Sequence, residues 1–389
     1  MAERLPPADW TRREDLAALV AALGPGQARY VGGAVRDTLL GLAVKDVDVA
    51  TPLVPAEVVE RLAKAAIRTV PTGIEHGTVT AVLPQGPVEI TTLRHDVSTD
   101  GRRATVAFAS DWRDDAARRD FTINALYADP ATGEIADWFG GLADLGHRRV
   151  RFIGDARQRI REDHLRILRY FRFQARFGSQ PPDEQAEQAC AELAPTLKGL
   201  SRERIGMEML NLLGLPDPAP TVARMAELGV LAVILPEADP ARLVQLAAAE
   251  QRHAIAPDAL RRLAALLPAD APLAEAVASR FRLSGAQKKR LALAAARDGS
   301  TTDSRALAYR LGRESALDRL LIESGDPAPL DGWTIPAFPL KGGDVVAAGI
   351  TAGPQVARVL KAVERRWIDE GFPGADRVRA LLADEIAPT

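Results

Sequence analysis

A single cysteine, Cys190, stands among the 389 residues, which excludes an internal disulfide and any multi-cysteine zinc site. Its setting, QACAEL, suits a small core residue. No apolar run approaches the roughly 18 residues that a membrane-spanning helix needs. The opening stretch, MAERLPPADWTRRED, lacks the apolar centre of a secretory signal. Net charge is only −2, so the whole chain does not advertise a polyanionic partner and any basic surface must be local. A G-K-[ST] triplet is missing after the glycine turn at 32–33, so there is no P-loop, and no G-x-G-x-x-G supports a dinucleotide fold. Repeats and low-complexity tracts are absent too. These gaps point to a cytoplasmic protein with no membrane association and no evident protein partner, long enough for two or more domains.

What is present divides in two. From about residue 28 to 154 the pattern mixes strands and helices. ARYVGG reads as a strand, AVRDTLLGL as a helix and KDVDVAT as a strand. Pro55 to Ala66 reads as a helix with proline at an early position. TVTAVL and VEITTLR alternate around PQGP as a hairpin. RRATVAF is a weaker strand, and INALYAD and EIADW form a further short pair. The expectation is an α+β domain, a small mixed sheet with helices. From about 155 strand signals stop, and helices follow between Gly and Pro breaks such as PDPAP and LLPADAP. Ser284 and Gln287 have the spacing of a capping box.

Four segments carry chemistry. In 31-VGGAVRD-37 a glycine pair joins a strand to a helix. Without side chains, backbone N–H groups at the helix start can meet phosphate, and Arg36 adds charge; an ordinary tight turn is the alternative. Asp46 and Asp48 follow, flanked by Val44, Val47 and Val49. In a strand, residues i and i+2 share a face, so both carboxylates converge, and buried carboxylates need a partner. Beside a phosphate turn the fitting cation is Mg²⁺. Glu89 in VEITTLR is a candidate third ligand, since Val88 and Ile90 face the other way; a solvent-facing glutamate is its alternative.

The third segment is 118-RRDFTINAL-126, where arginines suited to phosphate adjoin Asp120; a helix or strand start with a salt bridge is the alternative. The fourth is 161-REDHLRILRYFRFQARF-177. Taken as one helix, it gathers Ile167, Leu168, Phe171 and Ala175 on one arc and Arg166, Arg169, Arg172 and Arg176 on another. Asp163 then sits one turn from Arg166, a spacing that usually forms a surface salt bridge. Residues 148–176 hold ten arginines against three acidic residues, a positive patch suited to triphosphate or an RNA backbone.

In this order and spacing, GGAVRD, KDVDVAT, RRDFTINAL, FGGLADL and REDHLR closely resemble the class II tRNA nucleotidyltransferase and bacterial poly(A) polymerase family over about residues 28–178. Weaker similarity continues through SRERIGMEMLNLL and GVLAVILPE. The resemblance implies an N-terminal helix over 1–27, a nucleotidyltransferase head over 28–154, a neck over 155–210, a helical body over 211–300 and a helical tail over 301–389. It implies untemplated nucleotide addition to tRNA from CTP and ATP. Asp46 and Asp48 would hold catalytic Mg²⁺. Gly33, Arg36 and Arg119 would contact the nucleotide, Asp163 and Arg166 would read its base, and Arg169 and Arg172 would serve the same site.

CCA addition, partial addition of C or A, and poly(A) tailing all share these motifs. The segment between VEITTLR and RRDFT, LRHDVSTDGRRATVAFASDWRDDAA, is full length, which favours the complete CCA reaction. The ending RALLADEIAPT lacks the basic tail of the poly(A) enzymes, and the helical half carries no H-D metal motif of a phosphohydrolase domain. Lys341-Gly-Gly343 is either a phosphate contact or a helix start. Lys288, Lys289 and Arg290 either touch tRNA or solvate a helix.

Overall fold

The computed structural model describes residues 3–74, 77–100, 103–109, 111–297 and 303–387. Contacts divide the chain into two units, Met1–Glu208 with Arg224–Ile234, and Met209–Ala223 with Leu235–Thr389.

The first unit is built on a seven-stranded mixed sheet in the order β3-β4-β5-β2-β1-β8-β9. Its strands are β1 (Arg29–Val31), β2 (Asp48–Thr51), β3 (Thr69–Gly73), β4 (Thr78–Leu83), β5 (Gly86–Thr92), β8 (Leu126–Ala128) and β9 (Ile135–Asp137). Between them β6 (Arg94–Asp100) and β7 (Arg103–Phe108) pair only with each other. Helices α1 (Glu14–Leu23), α2 (Gly33–Leu39), α3 (Pro55–Lys64), α4 (Trp112–Ala117), α5 (Gly141–Gly146), α6 (Ala156–Glu162), α7 (Arg166–Phe177) and α8 (Glu184–Leu193) complete the unit with α11 (Val230–Ile234). Helices α9 (Arg202–Leu213) and α10 (Ala219–Glu227) each contribute residues to both units.

Most strands form where alternation and β-branched residues favour them. In β5, Val88 and Ile90 are buried while Glu89 is exposed, the period of two that a one-sided strand requires. The pair β4–β5 closes through Leu83 opposite Gly86, the hairpin expected at PQGP. Strand β3 escapes the sequence reading because Pro71 interrupts it. It survives at the sheet edge, where a missing N–H costs little, and its register slips between Val70 and Gly73. Strand β7, within the weak strand RRATVAF, pairs with β6.

An aromatic cluster joins α7 to the sheet unit. Phe121 lies 5.0 Å from both Phe152 and Phe173, and Tyr170 stacks on Phe152 at 5.8 Å. Such contacts add about 0.5–1.5 kcal/mol each beyond the area they bury. They fix α7, with its arginines, against the 118–124 segment.

The second unit is helical among its described residues, with α12 (Pro240–Arg252), α13 (Ala259–Leu266), α14 (Ala271–Arg280), α15 (Gly285–Ala295), α16 (Ser304–Leu311), α17 (Arg313–Ile322), α18 (Gly342–Ala347), α19 (Pro354–Asp369) and α20 (Ala375–Ile386). Ser284 and Gln287 do form the capping box. Trp367 centres one core with Val363 and Leu381. Arg290 does not solvate a helix surface: it is bonded to Asp318, which also receives Arg261, while Arg261 and Arg262 share Glu250. Lys341-Gly-Gly343 is a helix start, with the Lys341 N–H donating to Asp344 at 2.7 Å. Cys190, in the first unit, is buried and unpaired.

Candidate active site

The glycine pair sits at the end of β1. Gly32 takes φ +69°, a conformation that side chains resist, and Gly33 opens α2. A side chain at Gly32 would come within 3.4 Å of Arg119 Nη1, so the turn and the second arginine of RRDFT lie side by side. Arg36, expected at the phosphates, is instead 5% exposed and occupied within the protein. It donates to Asp37 at 2.7 Å and to Asn124 at 2.5 Å, and its guanidinium lies 4.1 Å from the Phe177 ring centre.

Asp46 and Asp48 are not on one strand. Strand β2 begins at Asp48, and Asp46 lies in the exposed approach to it. Pairing with two neighbours decides where the strand starts: Asp48 is opposite Val31 in β1 and opposite Glu89 in β5, and residues before it have no partner. The electrostatic convergence survives. Burial pushes the Asp48 acid above the ordinary carboxylate range, and Glu89 and Asp46 push it further, while Arg119 opposes them. Among the described residues no three acidic, histidine or cysteine side chains stand ready to hold an ion by themselves. The donor set is all oxygen, negatively charged and partly desolvated, and so fits a hard divalent cation.

Arg119 is held from behind. Its Nε donates to the Tyr127 hydroxyl at 2.9 Å and Nη2 to Asp115 at 3.3 Å, while Tyr127 donates to Asp115 at 2.5 Å. Asp115, 1% exposed, also receives Arg118 Nε at 2.8 Å and the Arg94 N–H, the first residue of β6, at 3.2 Å. Burial alone would raise its acid, but Arg119 and Arg118 outweigh it and hold it below the usual range. Asp115 and Tyr127 were not singled out by sequence; the spacing of Asp115 four residues before Arg119 is the signal that marks the first of them.

The segment 161–177 is not one helix. Helix α6 ends at Glu162, Asp163 is extended at φ −151° and ψ 105°, and α7 starts at Arg166. Asp163 Oδ1 accepts the Leu165 N–H at 3.1 Å, a local bond that competes with helix continuation. The Asp163–Arg166 pair expected from one-turn spacing is absent. Arg166 Nη1 donates to Glu162 at 2.5 Å and to the Arg159 carbonyl at 2.7 Å. Asp163 Oδ2 is taken by Arg204 Nη2 at 2.7 Å. Both side chains nevertheless border one cavity of about 310 Å³, together with Arg118, Arg119, Arg169 and Arg204.

Asp120 also lines it. Its carboxylate receives Arg169 at 2.8 and 2.5 Å, Asn124 Nδ2 at 2.9 Å and the Phe121 N–H at 2.9 Å. Burial works to raise this acid, yet these partners, Arg169 first, bring it below the usual range. Arg172 is directed to Glu208 at 2.6 Å and is not among the residues lining the cavity. Five arginines against two aspartates leave the cavity three positive charges in excess, an anion-attracting hollow whose Arg119 also acts on the partly buried Asp48 carboxylate.

Similarity to known proteins agrees with this geometry. Residues 28–151 match the model of the poly A polymerase head domain, and residues 182–242 match that of the probable RNA and SrmB-binding site of polymerase A. The chain is 35% identical over 367 residues to the mitochondrial CCA tRNA nucleotidyltransferase 1 of Mus musculus, covering 89% of this chain and 84% of that protein. It is 40% identical over 225 residues to the CCA-adding enzyme of Geobacillus stearothermophilus, covering 57% of this chain and 54% of the relative. The crystal structure of the Bacillus stearothermophilus CCA-adding enzyme in complex with CTP superposes with a TM-score of 0.77 at 28% identity, over 95% of this chain and 96% of that one. No helix among the described residues is long and apolar enough to cross a membrane. The sheet, the cavity and the relatives together place this chain in the CCA tRNA nucleotidyltransferase family.

Proposed function

We propose that this chain adds CCA to the 3′ end of tRNA, without a template, from CTP and ATP. The observation that carries the reading is the arginine-rich cavity in which Asp163 and Arg166 face the same space, beside the Asp48 carboxylate and the Gly32–Gly33 turn. Within the proposal the head spans 28–154, the neck 155–210, the body 211–300 and the tail 301–389.

The side chains divide the work. Cytosine and adenine each present an exocyclic amine beside a ring-nitrogen acceptor. Asp163 accepts from the amine and Arg166 donates to the ring nitrogen. Uracil and guanine put a carbonyl against the carboxylate, an acceptor–acceptor clash that costs about 1–3 kcal/mol per buried group. Arg119 and Arg169 neutralise triphosphate charge, and Asp115 and Tyr127 keep Arg119 aimed. Arg36 and Arg172 support the site through Asn124 and Glu208. Gly33 lets phosphate approach the start of α2. Asp46 and Asp48 would hold Mg²⁺, with Glu89 beside them; bound there, the ion supplies positive charge to the primer 3′-OH and the leaving pyrophosphate.

The test is extension of a tRNA that ends at its discriminator base, with Mg²⁺ and each labelled nucleotide alone and mixed. Growth by three residues that needs both CTP and ATP supports the reading. A long ladder from ATP alone means a poly(A) polymerase, arrest after CC or addition of A only means a partial enzyme, and no extension rejects the proposal.

A further inference from the structure

The carboxylate on which base choice rests is held by a residue outside the Asp163–Arg166 pair. Arg204, near the start of α9, donates through Nη2 to Asp163 Oδ2 at 2.7 Å, and the Leu165 N–H takes Oδ1 at 3.1 Å. Arg166 makes no bond to Asp163: its Nη1 donates to Glu162 and the Arg159 carbonyl, and its Nη2 to the Arg118 carbonyl at 3.3 Å. With one donor on each oxygen, the plane of the Asp163 carboxylate is fixed, yet each oxygen keeps a second acceptor direction for a ligand. Asp163 itself sits in extended backbone between two helices, where no helical packing would otherwise hold its rotamer. Arg204 borders the same cavity as Asp163 and Arg166.

We propose that Arg204 is a specificity-positioning residue: it holds the Asp163 acceptor in the orientation that favours an exocyclic amine. This rests on the reading of Asp163 and Arg166 as the base-selecting pair. Released from Arg204, the carboxylate can rotate away from a uracil or guanine carbonyl. The acceptor–acceptor clash is then relieved, and the penalty against the wrong base falls.

The experiment measures kcat/KM for CTP and for UTP on a tRNA lacking its CCA end, for the full-length protein and for Arg204→Ala, Arg204→Lys and Asp163→Ala. Arg204→Ala should lower the CTP/UTP ratio by about tenfold, with a smaller loss in CTP turnover, and Arg204→Lys should recover part of the ratio. Arg204 is 39% exposed, so its removal leaves no deep void. Should Arg204→Ala prove unstable to heat, the ratio for Arg204→Lys decides: a value between wild type and Asp163→Ala supports the role, and a wild-type value rejects it. Equal loss for both nucleotides in Arg204→Ala, with Asp163→Ala still relaxed, overturns the role of Arg204 and leaves the base-reading pair standing. An unchanged ratio in Asp163→Ala overturns the pair itself.

Discussion

Asp48 stands opposite Glu89 in the parallel pairing of β2 with β5. Side chains of partnered residues in adjacent strands lie on one face of the sheet, so two carboxylates are set beside each other with Asp46 near the strand start. Burial first, and that repulsion after it, raise the acid of Asp48. A group with a raised folded value stabilises the fold below its unfolded value and loses that contribution as pH rises through the folded one. At neutral pH the ionised Asp48 therefore works against folding until a cation joins it.

Asp48→Asn should accordingly raise the melting temperature of the metal-free protein while removing the further rise that Mg²⁺ gives the wild type. Asp48→Ala should abolish extension and leave tRNA binding intact in a gel-shift titration. Continued extension by that variant would refute the metal assignment.

Arg166→Ala should relax the choice among the four nucleotides more than it weakens tRNA binding. The expected change is about 1–3 kcal/mol in discrimination, read from single-nucleotide kcat/KM values. Unchanged selectivity with weaker binding would make Arg166 a backbone contact.

Two glycines should behave differently. A methyl group at Gly141 would lie 2.3 Å from the Thr122 carbonyl oxygen, so Gly141→Ala should cost about 1–3 kcal/mol or more in urea unfolding. At Gly33 the added carbon would meet only Arg36 Nη2, at 3.7 Å. Gly33→Ala should therefore fold normally and raise the nucleotide KM severalfold.

Asp120→Asn removes the buried negative charge that receives Arg169 and turns one acceptor oxygen into a donor. The folded Asp120 acid lies below its ordinary value of 3.8, so the stability it contributes is present above that value and lost as pH falls through the lower folded one. The variant should be less stable by about 2–3 kcal/mol at pH 7, with the gap to wild type narrowing at pH 3. A gap that stays constant would mean the loss is packing and not charge.

Residues whose role depends on their immediate neighbours were legible in the sequence. The strand–turn–helix around Gly32, the hairpin β4–β5, the outward Glu89 and the Ser284 cap follow from period, turn chemistry and spacing. Partner choice across the fold was not. Helical periodicity carries 161–177 as one element because its side chains fit a helix. The break at Asp163 comes from bonds to Leu165 and Arg204, and the second partner is 41 residues away. Arg36 looked like a free charge because the sequence does not show that Asn124 and Phe177 close around it. Glu162, Arg159, Arg204 and Tyr127 escaped for the same reason: each acts through a contact made by tertiary packing.

CCA addition is read most directly from the 3′-end sequence of products formed from a CCA-lacking tRNA with Mg²⁺ and all four nucleotides at equal concentration. The expected products end in CCA, three residues longer than the substrate, with U and G rare at every added position. Long homopolymeric A tails, or incorporation of U and G in proportion to their supply, would contradict it.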